Sequence, residues 1–437
     1  MGLDTASLGR LVEPDRVHKS CYTDPEIFDM EMARIHEGAW TYVGHGSQVK
    51  NSGDYYTALI GRQPMIMVRG QDGEVRVFYN RCPHRGAMLC SDRHNNTGRM
   101  FRCSYHAWMF NLDGSVASIP AMNGYDGTRF SKEMADAQLK PAARVQNYRD
   151  FYFVSLAKDG PDLETYLGDA TLAFDQMVDR APGGEIEVVG DCFRMIQQSN
   201  WKIFLETQLD VSHPSATHES TGVATSQIER EMAKRDGAAP LSYSFLSAFK
   251  MPIEDWRKFE TVGLPQGHCM LQGYMGLRPR DPDTVEYEDL MIKAYGPDRA
   301  EEILSTDLHH VLVYPSLSVQ PPLQQLRAIR PLAHGKTMTE IWHFRLKGAP
   351  EAIYQRALDY FYMVNSPSTM VNADDLHNFW KCHQGLMSDG GDWVSLHRNA
   401  GQDSDDNGTL HSAPDTMSEM PLRSMMQAWK RYMTAEA

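Results

Sequence analysis

Two short pairs of metal-binding residue types lie close together in the first quarter of the sequence. Cys82 and His84 are separated by one residue, Cys103 and His106 by two, and eighteen residues lie between the pairs. Thiolates bind iron or zinc tightly, and imidazoles in place of two thiolates make an iron–sulfur cluster easier to reduce. Zinc sites more often pair Cys with Cys and His with His, so these mixed pairs favour a two-iron cluster, with structural zinc as the alternative.

A second group of potential ligands follows further along the chain. Asp210, His213 and His218 form the pattern D-x-x-H-x-x-x-x-H. A helix predicted over 199–213 would place Asp210 and His213 on one face. Pro214 is expected to bend the chain at the preceding histidine, so that His218 turns back toward the same ion. Two imidazoles and one carboxylate on one face of Fe(II) leave coordination positions open for O₂, as in non-haem iron oxygenases.

The third ligand of such an iron site must come from another part of the chain. The segment NADDLHNFWKCHQGL, at 372–386, offers Asp374 and Asp375 close to aromatic residues. An isolated pair of aspartates is more often a helix cap or a solvated turn. The residues alone therefore leave both carboxylates as candidates.

Composition and charge disfavour several classes of protein. The 437 residues carry a formal net charge of −14, which disfavours nucleic acid or an anionic membrane as a general partner. We find no apolar run of membrane-spanning length and no basic-then-apolar leader, so a soluble cytoplasmic protein is expected. Seven cysteines, odd in number and mostly far apart, indicate a reducing compartment rather than a disulfide framework.

The order of predicted elements indicates an α+β fold. A helix is predicted over 24–37, short β-type runs with turns fill about 40–155, and strands and helices are interspersed after that. Later helices are predicted over 285–306, 350–364 and 415–433, and the polar stretch 399–414 is predicted to be a surface loop. Because βα alternation is lacking, an antiparallel sheet is favoured over a doubly wound fold.

These motifs resemble those of a known family. CPHRG and CSYHAW resemble the two cluster-binding segments of the Rieske [2Fe–2S] domain. Together with NWK…E-x-x-x-D-x-x-H-x-x-x-x-H, they make nearly the whole chain similar to the α (large) subunit of Rieske non-haem iron ring-hydroxylating oxygenases. The resemblance implies an all-β Rieske domain placed before or within a catalytic domain with an antiparallel sheet and helices, which is helix-grip-like. The domains expected are an N-terminal helical segment packing on the catalytic domain at 1–39, the Rieske domain at 40–156, and the catalytic domain at 157–437.

The resemblance also implies roles for individual residues. Four of them would bind the [2Fe–2S] cluster: Cys82, His84, Cys103 and His106. Three would bind mononuclear Fe(II): His213, His218 and Asp375. Asp210 would bridge the two metal sites by accepting hydrogen bonds from His106 and from His213. In the family the paired sites lie in neighbouring subunits of a trimer, so an oligomer is expected.

The implied function is that of the terminal oxygenase of a multicomponent dioxygenase, which adds O₂ to an aromatic substrate. No dinucleotide fingerprint is found, so a separate reductase, with or without a ferredoxin, is expected to deliver the electrons. A small β subunit in an α₃β₃ assembly is expected, with an α₃ trimer as the alternative. Other possibilities are a Rieske monooxygenase or demethylase, and a Rieske electron-transfer protein without oxygenase activity.

Within the family, overall similarity favours an aromatic carboxylate as the first substrate candidate. Two arginines could meet a carboxylate, Arg327 and Arg330. Candidates for the wall of a substrate pocket are apolar residues of the 200–220 helix and the 240–330 strands: Phe204, Leu209, Phe245, Phe249, Met270 and Leu317.

Overall fold

The chain folds into two compact units. The computed structural model describes residues 4–235, 246, 249, 251–274, 278–411 and 416–435. The smaller unit is Met32–Tyr166, and the larger unit combines Met1–Glu31 with Leu167–Ala437. The smaller unit is therefore inserted into the chain of the larger one. Within the described residues, no helix combines the length and the apolar character that crossing a bilayer requires.

The described part of the smaller unit is built from short antiparallel strands. One sheet has the order Val75–Tyr79, Gln63–Arg69, Asp54–Ile60 and His94–Asn96. Two three-stranded sheets accompany it: Met100–Arg102, Met109–Asn111 and Val116–Ser118 in one, and Arg144–Tyr148, Phe151–Ser155 and Thr41–His45 in the other. Gly73 and Gly114 both adopt positive φ, at +84° and +88°, in the turns QDG at 71–73 and LDGS at 112–115. The all-β character predicted for this part of the chain is confirmed.

The larger unit contains one large antiparallel sheet. Its strands lie in the order Ile186–Val188, Lys336–Leu346, Gln325–Ala333, Leu317–Gln320, Leu308–Val313, Cys269–Gly273, Glu260–Gly263, Thr409–His411 and Ser404–Asp406. Phe193–Gln197 also pairs with the Lys336–Leu346 strand. A separate two-stranded pair joins Arg16–His18 to Trp393–Ser395. The antiparallel prediction is thus confirmed.

Helices complete the larger unit and make the fold α+β, as predicted. The described α-helices of the chain are Thr5–Gly9, Ser20–Thr23, Pro25–Glu31, Leu163–Leu167, Thr171–Asp179, Trp201–Thr207, His213–Thr217, Glu219–Ala233, Ile253–Trp256, Pro282–Tyr295, Pro297–Ser305, Glu351–Tyr360, Met370–Leu386 and Met420–Thr434. The last of these packs against the sheet strands Glu260–Gly263 and Cys269–Gly273. Asp24 accepts a hydrogen bond from the backbone N–H of Glu26 at 2.7 Å, so it caps the helix predicted to start there.

Two elements away from the predicted iron ligands differ from their predictions. The helix predicted over 285–306 is two helices, because Gly296 has φ of +81° and Pro297 starts the second one. The stretch 399–414 is not only a loop. Ser404–Asp406 and Thr409–His411 form a hairpin on the edge of the large sheet, while residues 412–414 lie outside the described part. The turn is Asn407-Gly408, with φ of +52° and +92°, which is a hairpin signal that the polar composition obscured.

A buried ion pair joins three segments of the larger unit. Glu31 and Lys202 are both fully buried, with 2.5 Å between the Glu31 carboxylate and the Lys202 ammonium. The same carboxylate accepts hydrogen bonds from the indole N–H groups of Trp201 at 2.8 Å and Trp429 at 2.6 Å. We call these four residues the Glu31 lock. It connects the N-terminal segment, the helix Trp201–Thr207 and the C-terminal helix.

Candidate active site

The four predicted cluster ligands lie on two loops of the smaller unit that have the same backbone hydrogen-bond pattern. In the first loop, the N–H of Cys82 donates to the carbonyl of Ala87, and the N–H of Gly86 donates to the carbonyl of Cys82. In the second, the N–H of Cys103 donates to Trp108, and that of Ala107 donates back to Cys103. The residue that closes each turn has positive φ: +76° at the glycine and +55° at Ala107. The two loops thus present their Cys and His residues in matching ways.

The side chains on these loops have the properties that a Cys₂His₂ cluster site requires. Cys82 and Cys103 are 1% and 3% exposed, and both are free thiols. Burial raises the pKa of the Cys82 thiol to about 11, and a thiol of this kind becomes a thiolate on coordinating a metal. The His84 and His106 rings lie 4.6 Å apart between centroids, and Nδ1 of His106 is buried without a hydrogen-bond partner in the described structure. The donor set and the unpartnered nitrogen fit a bound [2Fe–2S] cluster.

In the larger unit, the structure brings the predicted iron ligands together. Ligand atoms of His213, His218 and Asp375 all lie within 4.8 Å of one another. The Asp375 Oδ1 atom is 3.1 Å from Nε2 of His218 and 3.8 Å from Nε2 of His213. Two nitrogens and one carboxylate oxygen that converge in this way fit an iron with open coordination positions.

The backbone around the two histidines differs from the prediction. The helix that begins at Trp201 ends at Thr207, and His213 starts a second helix, His213–Thr217. Pro214 lies in the first turn of that helix, where its missing N–H is not needed, so it does not bend the chain as predicted. The break lies earlier, at 208–212, and His218 comes after the short second helix.

Asp374 and Asp375 lie side by side on the helix Met370–Leu386 but face different atoms. The Asp374 carboxylate is 3.7 Å from Nδ1 of His218, whereas Asp375 lies 3.1 Å from Nε2 of the same ring. Only Asp375 lies near the Nε2 atoms of both histidines. The geometry therefore groups Asp375, and not Asp374, with the histidines.

Asp210 lies in the turn between the two helices. Its Oδ1 accepts hydrogen bonds from the backbone N–H of Ser212 at 2.7 Å and from the Ser212 hydroxyl at 2.5 Å. Nδ1 of His213 bonds to the backbone carbonyl of Asp210 at 2.8 Å, whereas the carboxylate is 3.7 Å away. The predicted bond from His213 to the carboxylate is thus made to the carbonyl instead. A donating Nδ1–H leaves the lone pair of the ring on Nε2 of His213, the nitrogen that faces Asp375.

A cavity of about 280 Å³ opens beside the predicted iron ligands. Its apolar wall includes Phe249, Leu271, Val364 and Val371, which suits an aromatic ring. Among the described candidates from the sequence, only Phe249 borders the cavity; Phe204, Leu209, Met270 and Leu317 are buried elsewhere, and Phe245 lies outside the described residues. The strand register explains why two of these residues, Met270 and Leu317, do not border the cavity.

Leu271 and Arg327 belong to one face of the sheet, while Met270 and Leu317 belong to the other, because side chains alternate along each strand.

The two arginines predicted as carboxylate binders have different surroundings. Arg330 does not line the cavity, and it lies 3.2 Å from Glu340 in a buried ion pair. Arg327 lines the cavity. Two residues beside it were missed by the sequence analysis, Gln208 and Gln320, whose side-chain oxygens accept hydrogen bonds from its guanidinium. The position of Gln208, two residues before Asp210, could have indicated that it borders the site.

Comparison with known proteins supports the same interpretation. Residues 39–148 match the Rieske [2Fe-2S] domain, and residues 181–435 match the catalytic domain of the ring hydroxylating alpha subunit. The chain is 32% identical to toluate 1,2-dioxygenase subunit alpha of Pseudomonas putida, over 89% of this chain and 84% of that protein. It is 33% identical to the anthranilate 1,2-dioxygenase large subunit of Acinetobacter baylyi, over 88% and 80%.

A solved structure shares the fold over nearly the full length. Naphthalene 1,2-dioxygenase from Rhodococcus sp., bound to indole, superposes with a TM-score of 0.76 at 25% identity, over 97% of this chain and 95% of that one. The zinc alternative and the pure electron-transfer alternative are set aside by the two domain matches. The cofactors are a Rieske [2Fe–2S] cluster and mononuclear iron, and electrons come from separate partner proteins. The chain is an oxidoreductase that belongs to the α-subunit family of Rieske non-haem iron ring-hydroxylating dioxygenases.

Proposed function

We propose that this chain is a terminal oxygenase that adds both atoms of O₂ to an aromatic ring at an iron held by His213, His218 and Asp375. The observation that carries the proposal is the convergence of these three side chains within 4.8 Å, at the wall of a largely apolar cavity. The neighbouring Asp374 is proposed to orient His218 from its Nδ1 side rather than to bind the metal.

The smaller unit is proposed to hold the cluster through Cys82, Cys103, His84 and His106. When bound, the cluster supplies electrons one at a time, and the iron supplies open positions for O₂. The two cysteines are buried while the two histidines are only partly buried, so the histidine side of the site is the side proposed for electron exit.

Asp210 is proposed as the link between the two metal sites. Its carboxylate is partly exposed and is fixed by Ser212, and its backbone carbonyl orients His213. Its remaining carboxylate oxygen, Oδ2, is proposed to accept a hydrogen bond from His106 of a neighbouring subunit.

Replacing Asp210 with alanine tests this link. We expect both metals to stay bound, because the backbone carbonyl that holds His213 remains, while electron transfer from the cluster to the iron falls by at least about 100-fold. Metal analysis and single-turnover reoxidation of the reduced cluster measure the two effects separately. Loss of iron from the D210A variant would instead make Asp210 a metal ligand.

The proposed substrate is an aromatic carboxylate. The relatives named above are a toluate and an anthranilate dioxygenase, and both of those substrates are carboxylates on an aromatic ring. We also propose a small β subunit in an α₃β₃ assembly, and the cytoplasm as the compartment. The seven cysteines are all free in the structure, which suits a reducing environment.

Oxygen labelling tests the reaction itself. With ¹⁸O₂, a surrogate reductase and benzoate, we expect a cis-dihydrodiol product that carries two labelled oxygen atoms. Mass spectrometry of the product distinguishes this result from one labelled atom, which would make the chain a monooxygenase. Absence of any oxidised product from an enzyme with both metals bound, with benzoate and with a neutral arene such as toluene, would contradict the proposal altogether.

A further inference from the structure

Arg327 is a buried cation that has only neutral hydrogen-bond partners. It lies on the strand Gln325–Ala333, is 8% exposed, and borders the cavity. Its Nε donates to the side-chain oxygen of Gln325 at 2.7 Å, its Nη1 to that of Gln208 at 2.7 Å, and its Nη2 to that of Gln320 at 3.0 Å. No ion pair to Arg327 is found among the described carboxylates. We call these partners the glutamine cradle.

The other arginines along the cavity differ from Arg327 in this respect. Arg356 makes two 3.0 Å hydrogen bonds to the carboxylate of Asp281. Arg278 lies 3.2 Å from a glutamate. Arg180 donates to two backbone carbonyls at the end of the helix Pro297–Ser305, where the helix dipole is negative. Each of these cations is therefore in direct contact with a negative charge or a negative helix end, whereas the hydrogen-bond partners of Arg327 are all neutral.

The titratable neighbours of Arg327 do not neutralise it. Burial, and then the charge of Arg327, lower the pKa of His310 to about 3 and that of His343 to about 4, so both are neutral near pH 7. Burial lowers the pKa of Arg327 to about 10, which leaves it charged at pH 7. Asp375 acts on it electrostatically, but its carboxylate lies against His218.

A buried charge that is not paired is costly, so its presence in a ligand cavity points to an anionic ligand. A guanidinium has five N–H donors, and the glutamine cradle uses three of them, which leaves two for a ligand in the described site. Glutamine oxygens fix the orientation of the guanidinium without cancelling its charge. A carboxylate is the anion whose two oxygens match the geometry of two guanidinium N–H groups.

We propose that Arg327, held by the glutamine cradle, is the residue that binds the carboxylate of the substrate and so selects aromatic acids over neutral arenes. This inference rests on the proposed function, because it assigns a binding residue for the substrate class named there. The arginine supplies charge recognition, while the apolar wall of the cavity accepts the ring.

Binding of benzoate and benzamide to the metal-loaded oxygenase tests the assignment, because the two probes share shape and differ in charge. We expect equilibrium dialysis to show that the wild-type enzyme prefers benzoate, and that Arg327→Met reduces this preference by roughly 10- to 100-fold. Gln320→Glu is a second variant that keeps a hydrogen-bond acceptor beside Nη2 and adds a permanent counter-ion. It should also reduce the preference strongly, because the new carboxylate neutralises the guanidinium while Arg327 stays in place.

Arg356→Met is the matched control, because this arginine lines the same cavity but is already paired with Asp281. The Arg356→Met variant should prefer benzoate over benzamide about as strongly as the wild-type enzyme does. If Arg327→Met and Gln320→Glu both keep the wild-type preference, Arg327 does not bind the carboxylate, although the substrate class stands. If the wild-type enzyme binds both probes equally, the inference is overturned, and labelled O₂ with a neutral arene such as toluene then shows whether the dioxygenase function holds on its own.

Discussion

Replacing Asp375 with alanine is expected to remove the mononuclear iron and to abolish product formation, while the cluster stays intact. The change deletes the carboxylate oxygen that, among the described residues, lies near the Nε2 atoms of both His213 and His218. Loss of residues that merely support a metal ligand already lowers metal affinity or activity by about 10- to 100-fold, so loss of a ligand should cost at least about 100-fold. The proposed cluster ligands belong to the other compact unit and should not respond.

Elemental analysis of iron per subunit, visible absorbance of the cluster and product formation are the three measurements. Asp374→Ala is the matched control, since it removes the neighbouring carboxylate on the same helix, 3.7 Å from Nδ1 of His218. This variant should keep its iron and retain more activity than Asp375→Ala. If Asp374→Ala loses the iron and Asp375→Ala keeps it, the assignment of the two aspartates is reversed.

Replacing Lys202 with methionine is expected to destabilise the larger unit by about 3–5 kcal/mol, because the Glu31 carboxylate would stay buried without its cation. The two tryptophan N–H groups of the Glu31 lock still donate to it, but they carry no charge. Urea unfolding followed by tryptophan fluorescence measures the shift in midpoint. The iron should be lost at lower urea than in the wild-type protein, since Lys202 lies on the helix that leads to Asp210.

Lys347→Met is the control for the lysine substitution. Lys347 also pairs with a glutamate, Glu185, and the distance of 2.6 Å is nearly the same, but both side chains are exposed. Exposed pairs contribute about 0–1 kcal/mol, so this variant should unfold almost as the wild-type protein does. The double variant Glu31→Gln with Lys202→Met should regain part of the lost stability, because no charge is then left in the Glu31 lock. Equal destabilisation by Lys202→Met and Lys347→Met would show that the Glu31 lock contributes little.

The sequence was sufficient to predict the fold class and to select the residues that the structure brings together at the two sites. Cys and His at fixed short spacings are local signals, and the loops that carry them are short enough for the spacing to limit their geometry. The spacing of residues in the sequence could not decide between Asp374 and Asp375 as the third iron ligand. Adjacent residues on a helix differ by about 100° in direction, and only the position of the histidines decides which one points inward.

Features that depend on contacts distant in sequence were not predictable in the same way. The lining of the cavity depends on which face of each strand is turned inward, and a run of apolar residues buried on both faces carries no alternation to show it. Pro214 was misjudged because proline both breaks a helix and starts one, and the preceding turn decides between these roles. The NWK motif, residues 200–202, was identified only by its resemblance to the family. Glu31, which accepts hydrogen bonds from Trp201 and Lys202, lies far away in the sequence.

The Glu31 lock also has a consequence for the order in which the protein can be made. The smaller unit is one continuous stretch, Met32–Tyr166, so all of it has left the ribosome while much of the larger unit is still to be synthesised. The larger unit needs a glutamate from before this stretch to pair with Lys202, and a tryptophan from the C-terminal helix Met420–Thr434 to donate a hydrogen bond to that glutamate. We therefore expect the cluster domain to fold during translation and the iron domain to close only after the last helix has emerged. Assembly of the cluster would then precede loading of the iron.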